Sequence, residues 1–198
     1  MFWQKNKTSD NPLPVYMDPI EFSQLTAIVE SIGPRTFLEW GSGGSTRALL
    51  KECPFIERYV SVEHDVTWGQ RVKEIVDDPR LDLHLIQPDQ PLEIPKPTRD
   101  QEIAWNARAE REPSLMKSYV EFPRTLDVTF DMILVDGRAR RLCLLEGINL
   151  LKDGGVIVLH DAQREDYHDA LHQIGTVRFL EPWKAGQIAL VRKEARHS

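Results

Sequence analysis

Phe37-Leu38-Glu39-Trp40-Gly41-Ser42-Gly43-Gly44-Ser45-Thr46 is the stretch that decides how this chain folds. An apolar run ends in an acid and opens at once into a glycine-rich turn. Glycines at 41 and 43 let the backbone approach a ligand that a side chain would block. Thr46 to Glu52 then reads as a helix capped by Ser45 or Thr46. Such a junction presents free N–H groups and the positive end of a helix dipole to a ligand. Those groups suit a carboxylate and a phosphate equally, so the turn by itself defines only a small-molecule cradle.

Strands and helices alternate on both sides of this turn. Upstream, Asp18 to Ile32 carries apolar residues at helical spacing, opens with a capping acid and a proline, and is stopped by Gly33-Pro34. Arg35 to Glu39 is the first strand. Downstream come a strand at Glu57–Glu63, a helix at Thr67–Asp77 and a strand at Leu81–Ile86. Phe130–Val135 is a fourth strand, Leu142–Leu151 a helix stopped by Lys152-Asp153-Gly154-Gly155, and Val156–Leu159 a fifth strand. A helix near Arg164–Ile174 and two strands near Val177–Leu180 and Gln187–Val191, flanking a turn at Trp183–Gly186, complete the chain. Strands one, four and five are almost wholly apolar, which predicts a parallel sheet covered on both faces. The last two strands predict an antiparallel hairpin at one edge.

The segment from Gln87 to Lys117 breaks this rhythm, with five prolines around the charged stretch Arg99–Glu112. It reads either as a solvated excursion with one exposed helix or as a lid, because it leaves the carboxyl end of strand three. The 198 residues form one domain, 1–198. No apolar run approaches the roughly 20 residues of a membrane helix, and the polar N-terminus lacks the apolar centre of a signal peptide. A cytoplasmic chain without a membrane is expected. A formal charge of -6 argues against a broad nucleic-acid surface and leaves room for a local basic patch. Cys53 and Cys143 sit in no metal-binding spacing.

The glycine turn departs from the dinucleotide fingerprint G-x-G-x-x-G, because Thr46 stands at the third glycine position. Glu39 is placed where its carboxylate can meet an ammonium, and it would repel a pyrophosphate. Glu63 lies 22 residues after Gly41, at the end of strand two, where an acid accepts hydrogen bonds from ribose hydroxyls. His64 either borders an adenine or belongs to a polar loop. An amino acid joined to a nucleoside satisfies both acids, and S-adenosylmethionine (SAM) is such a molecule. A tight turn without a ligand is the plainer alternative.

At these residues the chain resembles class I SAM-dependent methyltransferases. Glu39-Trp40-Gly41-Ser42-Gly43-Gly44-Ser45 is similar to their first motif, and Ser61-Val62-Glu63 to their second. Phe130 to Gly137 resembles their fourth strand, and Leu150 to Asp161 the helix, glycine pair and strand that follow. The likeness runs over residues 35–192 and is closest to small bacterial methyltransferase-like proteins. It implies a Rossmann-like, doubly wound, mostly parallel seven-stranded α/β sheet with an antiparallel C-terminal hairpin. It also implies that Glu39, Gly41, Gly43 and Ser45, with Ser42 and Thr46 beside them, hold the methionine part, and that Glu63 holds the ribose. Two positions depart from the pattern. Ser45 replaces a third glycine, and Arg138-Ala139-Arg140-Arg141 follows Asp136-Gly137 where a histidine is common.

Methyl transfer requires an acceptor held in line and, for a hydroxyl acceptor, a base or Lewis acid. The candidates are Asp136, His160 and Asp161, at the carboxyl ends of strands four and five. Asp136 and Asp161 could ligate Mg²⁺; the plainer reading makes Asp136 a strand-end turn and His160-Asp161 a helix cap. Arg138, Arg140 and Arg141 would hold an acidic substrate or form a solvated helix face. Trp68, Trp105, Tyr119 and Trp183 line a pocket or pack in the core. The expected function is SAM-dependent methylation of a small, acidic molecule, O-methylation foremost, with homo-oligomerisation open. A non-catalytic SAM-binding module and an NAD(P)-dependent oxidoreductase are the alternatives.

Overall fold

A computed structural model describes residues 13–181 and 186–194. Asp18 and Pro19 open α1 (Pro19–Ile32): the Asp18 carboxylate accepts from the Ile20 amide, and Glu21 reaches back to the Asp18 amide. Gly33, at φ 61°, closes it. There follow β1 (Thr36–Trp40), α2 (Gly44–Glu52), β2 (Arg58–Glu63), α3 (Val66–Ile75) and β3 (Leu81–Leu85). Then come α4 (Arg99–Ala109), α5 (Pro113–Glu121), β4 (Phe130–Val135), α6 (Arg140–Leu150) and β5 (Leu151–Leu159). The last elements are α7 (His168–Ile174), β6 (Val177–Phe179) and β7 (Ala189–Arg192). Most of the turn expected at Trp183–Gly186 lies outside the described residues.

The strands form one sheet in the order β3-β2-β1-β4-β5-β7-β6. β1 to β5 pair in parallel, and β7 pairs antiparallel with both β5 and β6. This is the Rossmann-like, doubly wound seven-stranded sheet that the resemblance implies, with the parallel centre and antiparallel edge that the alternation of elements predicts. Successive strand residues face opposite sides, and each face has its own core. On one, Phe37, Tyr59, Met132, Leu134 and Val158 pack beneath Leu25 and Val29 of α1 and Leu49 of α2. On the other, Leu38, Trp40, Val60, Ile133 and Leu159 pack against Tyr119 of α5, Cys143 and Leu144 of α6, and Leu171 of α7. Both cysteines are buried and free.

Three local expectations change. α2 starts at Gly44, so neither Ser45 nor Thr46 is its cap; Thr46 instead accepts from the Gly43 amide at 2.8 Å. β5 begins at Leu151. The glycine pair that reads as a helix stop is a register shift inside the strand, with Phe130 opposite Leu151 and Met132 opposite Val156. The segment from Gln87 to Lys117 contains two helices where one is expected. Leu115, Met116 and Tyr119 of the second belong to the core, whereas Ile103 of the first is exposed. Asp89 ties the preceding loop to α5 by accepting from the Ser118 amide at 2.8 Å.

Candidate active site

β1 and β4 are neighbours at the centre of the sheet, and the strand order reverses between them. A crevice forms at the carboxyl side of such a reversal, and the candidate residues from β1, β2, β4 and β5 all lie there. The two central strand ends touch. Gly41 has φ 98°, and a Cβ on it would lie 2.7 Å from the Gly137 backbone. A Cβ on Gly137 would overlap the Tyr119 hydroxyl. Gly41 is therefore required for strand-to-strand contact, a reason the sequence did not show. Gly43 lies under the Trp68 indole, and the Pro14–Val15 backbone crosses Gly44 so closely that a Cβ there would overlap Pro14.

Glu39, near the end of β1, meets the first turn of α2 and the side chain of Ser61 on β2. It is fully buried, and its carboxylate accepts from Ser45 (2.9 Å), Thr46 (2.6 Å) and Ser61 (3.2 Å). Burial pushes its pKa up to about 8, against the lowering effect of the Thr46 and Ser45 hydroxyls. At neutral pH it is mostly a neutral, hydrogen-bonding acid. Through these contacts Glu39, Ser45 and Thr46 fasten the glycine turn to β1.

Glu63 closes the turn from the other side. One carboxylate oxygen accepts from the amide (2.9 Å) and hydroxyl (3.1 Å) of Ser42; the other accepts from the His64 (2.8 Å) and Asp65 (2.9 Å) amides. Burial raises its pKa, but His64 and these donors outweigh it and hold the acid below the usual carboxylate range. Glu63 is thus ionised. The Trp68 indole donates to the Ser42 carbonyl at 2.7 Å. Beside Glu63, the His64 and Tyr119 rings meet edge to face at 5.9 Å. The Tyr119 hydroxyl is buried without a well-formed hydrogen bond, and the Arg138 amide is its neighbouring donor.

Asp136, His160 and Asp161 converge as expected from strand-end positions. His160 Nδ1 lies 2.7 Å from Asp136, and its Nε2 faces Glu21 at 3.6 Å and Asp161 at 3.9 Å. Burial lowers the pKa of the imidazole, but Asp136 and Glu21 overcome this and raise it to about 10. Both ring nitrogens face carboxyl groups, an arrangement that favours the imidazolium. Asp161 is raised by burial but lowered more by Arg140 and His160, so it stays ionised.

Arg140 stands between the two acids expected to ligate Mg²⁺. Its guanidinium lies 3.3 Å from Asp136 and 3.1 Å from Asp161, and it also donates to the carbonyls of Asp136, Gly137 and His160. The cation between the two acids is thus the side chain itself, and no cluster of His, Cys, Asp or Glu with metal-binding geometry occurs among the described residues. The three arginines also diverge. Arg140 points inward, Arg141 pairs with Asp169, and Arg138 is exposed. Two residues of the site have no motif: Glu21, visible in the sequence only as a first-turn acid, and Glu110, whose carboxylate accepts from the Arg141 amide at 2.8 Å. Glu110 supplies the cap that Ala139 lacks at the start of α6.

Among solved structures, the chain is similar to the O-methyltransferase of Bacillus cereus in complex with SAH, at 16% identity over 91% of this chain and 84% of the other, with a TM-score of 0.60. It is similar to a methyltransferase-like protein of Silicibacter pomeroyi at 20% identity, covering 92% and 90%, with a TM-score of 0.58. The O-methyltransferase TomG of Streptomyces achromogenes, in complex with SAM, matches at 14% identity, covering 89% and 81%, with a TM-score of 0.57. No protein-family profile and no curated protein sequence matches the chain. At these identities the likeness establishes the fold alone: this chain shares the Rossmann-like architecture of those solved structures. Among the described residues no helix is long and apolar enough to cross a membrane.

Proposed function

We propose that the chain is a SAM-dependent methyltransferase acting on a small molecule, with O-methylation favoured. The observation that carries this reading is an ionised, buried Glu63 set against a glycine turn at the reversal of the β3-β2-β1-β4-β5-β7-β6 sheet. The surroundings fit a nucleoside: next to Glu63, His64 offers a ring, backed edge to face by Tyr119. Solved neighbours of the same fold bind SAM or SAH, which supports the same cofactor here.

In this reading Glu63 accepts from the ribose hydroxyls, with the Ser42 hydroxyl giving way to them. Ser42 and Gly43 edge the methionine part, and Glu39, Gly41, Ser45 and Thr46 hold the turn in shape. SAM, when bound, supplies the activated methyl group. Asp136 and Asp161, partly exposed and fixed by Arg140, orient the polar group of the acceptor. His160 keeps Asp136 in position as an imidazolium.

Calorimetry with SAM, S-adenosylhomocysteine and NAD tests the assignment. SAM and its product should bind and NAD should not; the reverse pattern overturns it. Glu63→Ala should weaken SAM binding at least tenfold, on the scale of about 1.4 kcal/mol for a lost charge-assisted hydrogen bond. An unchanged affinity removes Glu63 from the ribose site.

A further inference from the structure

The candidate site lies at the carboxyl ends of the strands, and a separate concavity of about 1020 Å³ opens on the α1 face toward their amino ends. α1 covers the centre of the sheet and stops short of β7 and β6. Its Ile28 and Ile32 form one wall of the groove, and Leu190 of β7 lies across from them. Ile32 is 37% exposed. The opposite rim is cationic. Arg178 is the cross-strand partner of Leu190, and Arg192 follows two residues along on the same face, so the two guanidinium groups border one patch.

These two cations differ from several arginines elsewhere on the molecule. Arg35, Arg58, Arg80, Arg124 and Arg141 each pair with a carboxylate. Among the described residues, neither Arg178 nor Arg192 has such a partner. Arg192 donates through Nε to the Gly154 carbonyl at 3.1 Å, which fixes its stem. Lys193 at the same rim is held by the Leu151 carbonyl at 2.6 Å. One acid, Glu194, lies in the same lining and forms no ion pair with either arginine among the described residues, so three cations to one acid border the apolar wall. Among the described residues no aromatic side chain lines the groove for base stacking, and two arginines make a small footprint for a polyanion.

We propose that this groove binds an elongated apolar molecule bearing one anionic head, a carboxylate or a phosphate. The head sits between Arg178 and Arg192, where guanidinium matches either oxyanion. The apolar body lies along Ile28, Ile32 and Leu190. This site is separate from the crevice and does not rest on the methyltransferase reading. From Val156 to His160, four strand residues set the two about 13 Å apart.

The test uses the full chain with decanoate and decyl phosphate below micelle formation, and decyltrimethylammonium as the cationic control. Calorimetry should show saturable binding of an anion and none of the cation; preference between the two anions identifies the head group. The Ile28, Ile32 and Leu190 methyl resonances should shift on titration. Arg178→Glu combined with Arg192→Glu, both at exposed positions, should lower the affinity at least tenfold while the melting temperature confirms folding. Absence of saturable binding, or binding that survives the double substitution, overturns the proposal. So do methyl shifts that follow protein concentration instead of ligand, which mark the groove as a contact between copies of the chain.

Discussion

Replacing Glu39 by glutamine should flatten the dependence of stability on pH. Complete burial raises the Glu39 pKa from the usual 4.5 to about 8, although the Thr46, Ser45 and Ser61 hydroxyls pull it down. Between those values the folded chain keeps a proton that the unfolded chain has released. The contribution of this proton is fully present below pH 4.5 and is lost as the pH rises through 8. At about 1.36 kcal/mol per pKa unit, the loss between pH 5 and pH 8 is on the order of 3 kcal/mol. His160 acts in the same direction, with its window running from 6.5 to about 10, but it is common to both chains and cancels in their difference. Glutamine fills the same volume, and the surrounding hydroxyls can rotate to donate or accept. Urea unfolding of both chains, followed by tryptophan fluorescence at intervals from pH 5 to pH 8, measures the effect. Glu39→Gln should gain on the native chain by about 3 kcal/mol across the series. A constant difference would refute the reasoning, because it would mean that Glu39 is ionised throughout and that its three hydroxyl donors outweigh its burial.

Other substitutions probe the contacts around the crevice. Glu110→Ala removes the cap of α6 and should cost about 1 kcal/mol in urea unfolding, while Glu110→Gln, which keeps an acceptor oxygen, should recover most of it. Gly137→Ala drives a methyl group into the Tyr119 hydroxyl and should destabilise by about 1–3 kcal/mol. Adding Tyr119→Phe should restore part of this in thermal melts; no recovery would show that the backbone of Gly41 carries the clash. Arg140→Leu leaves Asp136 and Asp161 without their shared cation and should cost about 3–5 kcal/mol. Excess MgCl₂ should leave the melting temperature of the native chain unchanged, and a clear rise would refute the role assigned to Arg140.

Elements with strong local signals are legible in the sequence. Asp18-Pro19 and Gly33 bracket α1, and the apolar runs of β1, β4 and β5 announce buried parallel strands. The meeting of Asp136, His160 and Asp161 follows from their strand-end positions, and the geometry agrees. What is illegible depends on contacts distant in sequence. Glu39 reads as a ligand-facing acid, since nothing local reveals that Ser61, 22 residues away, shares its carboxylate. Arg140 reads as one of three surface arginines, and only the packing of α6 against β5 turns it inward. The α4–α5 segment carries few apolar residues in α4, so periodicity does not divide it into an exposed and a buried helix. Lys152 to Gly155 follows the composition of a turn, and only pairing with β4 shows that the strand has already begun.

The contact between Gly41 and Gly137 also governs how a ligand can come and go. Backbone meets backbone there with no side chain to rotate aside, and Asp136 donates its amide to the Trp40 carbonyl at 2.9 Å just below. The floor of the crevice acts as a rivet, so the two central strands cannot splay to admit a cofactor. Traffic must pass over the opposite rim, where the Pro14–Val15 backbone and the Trp68 ring overlie the glycine turn, the ring held by one hydrogen bond to Ser42. In hydrogen exchange the Gly41 and Asp136 amides should therefore be among the last to open.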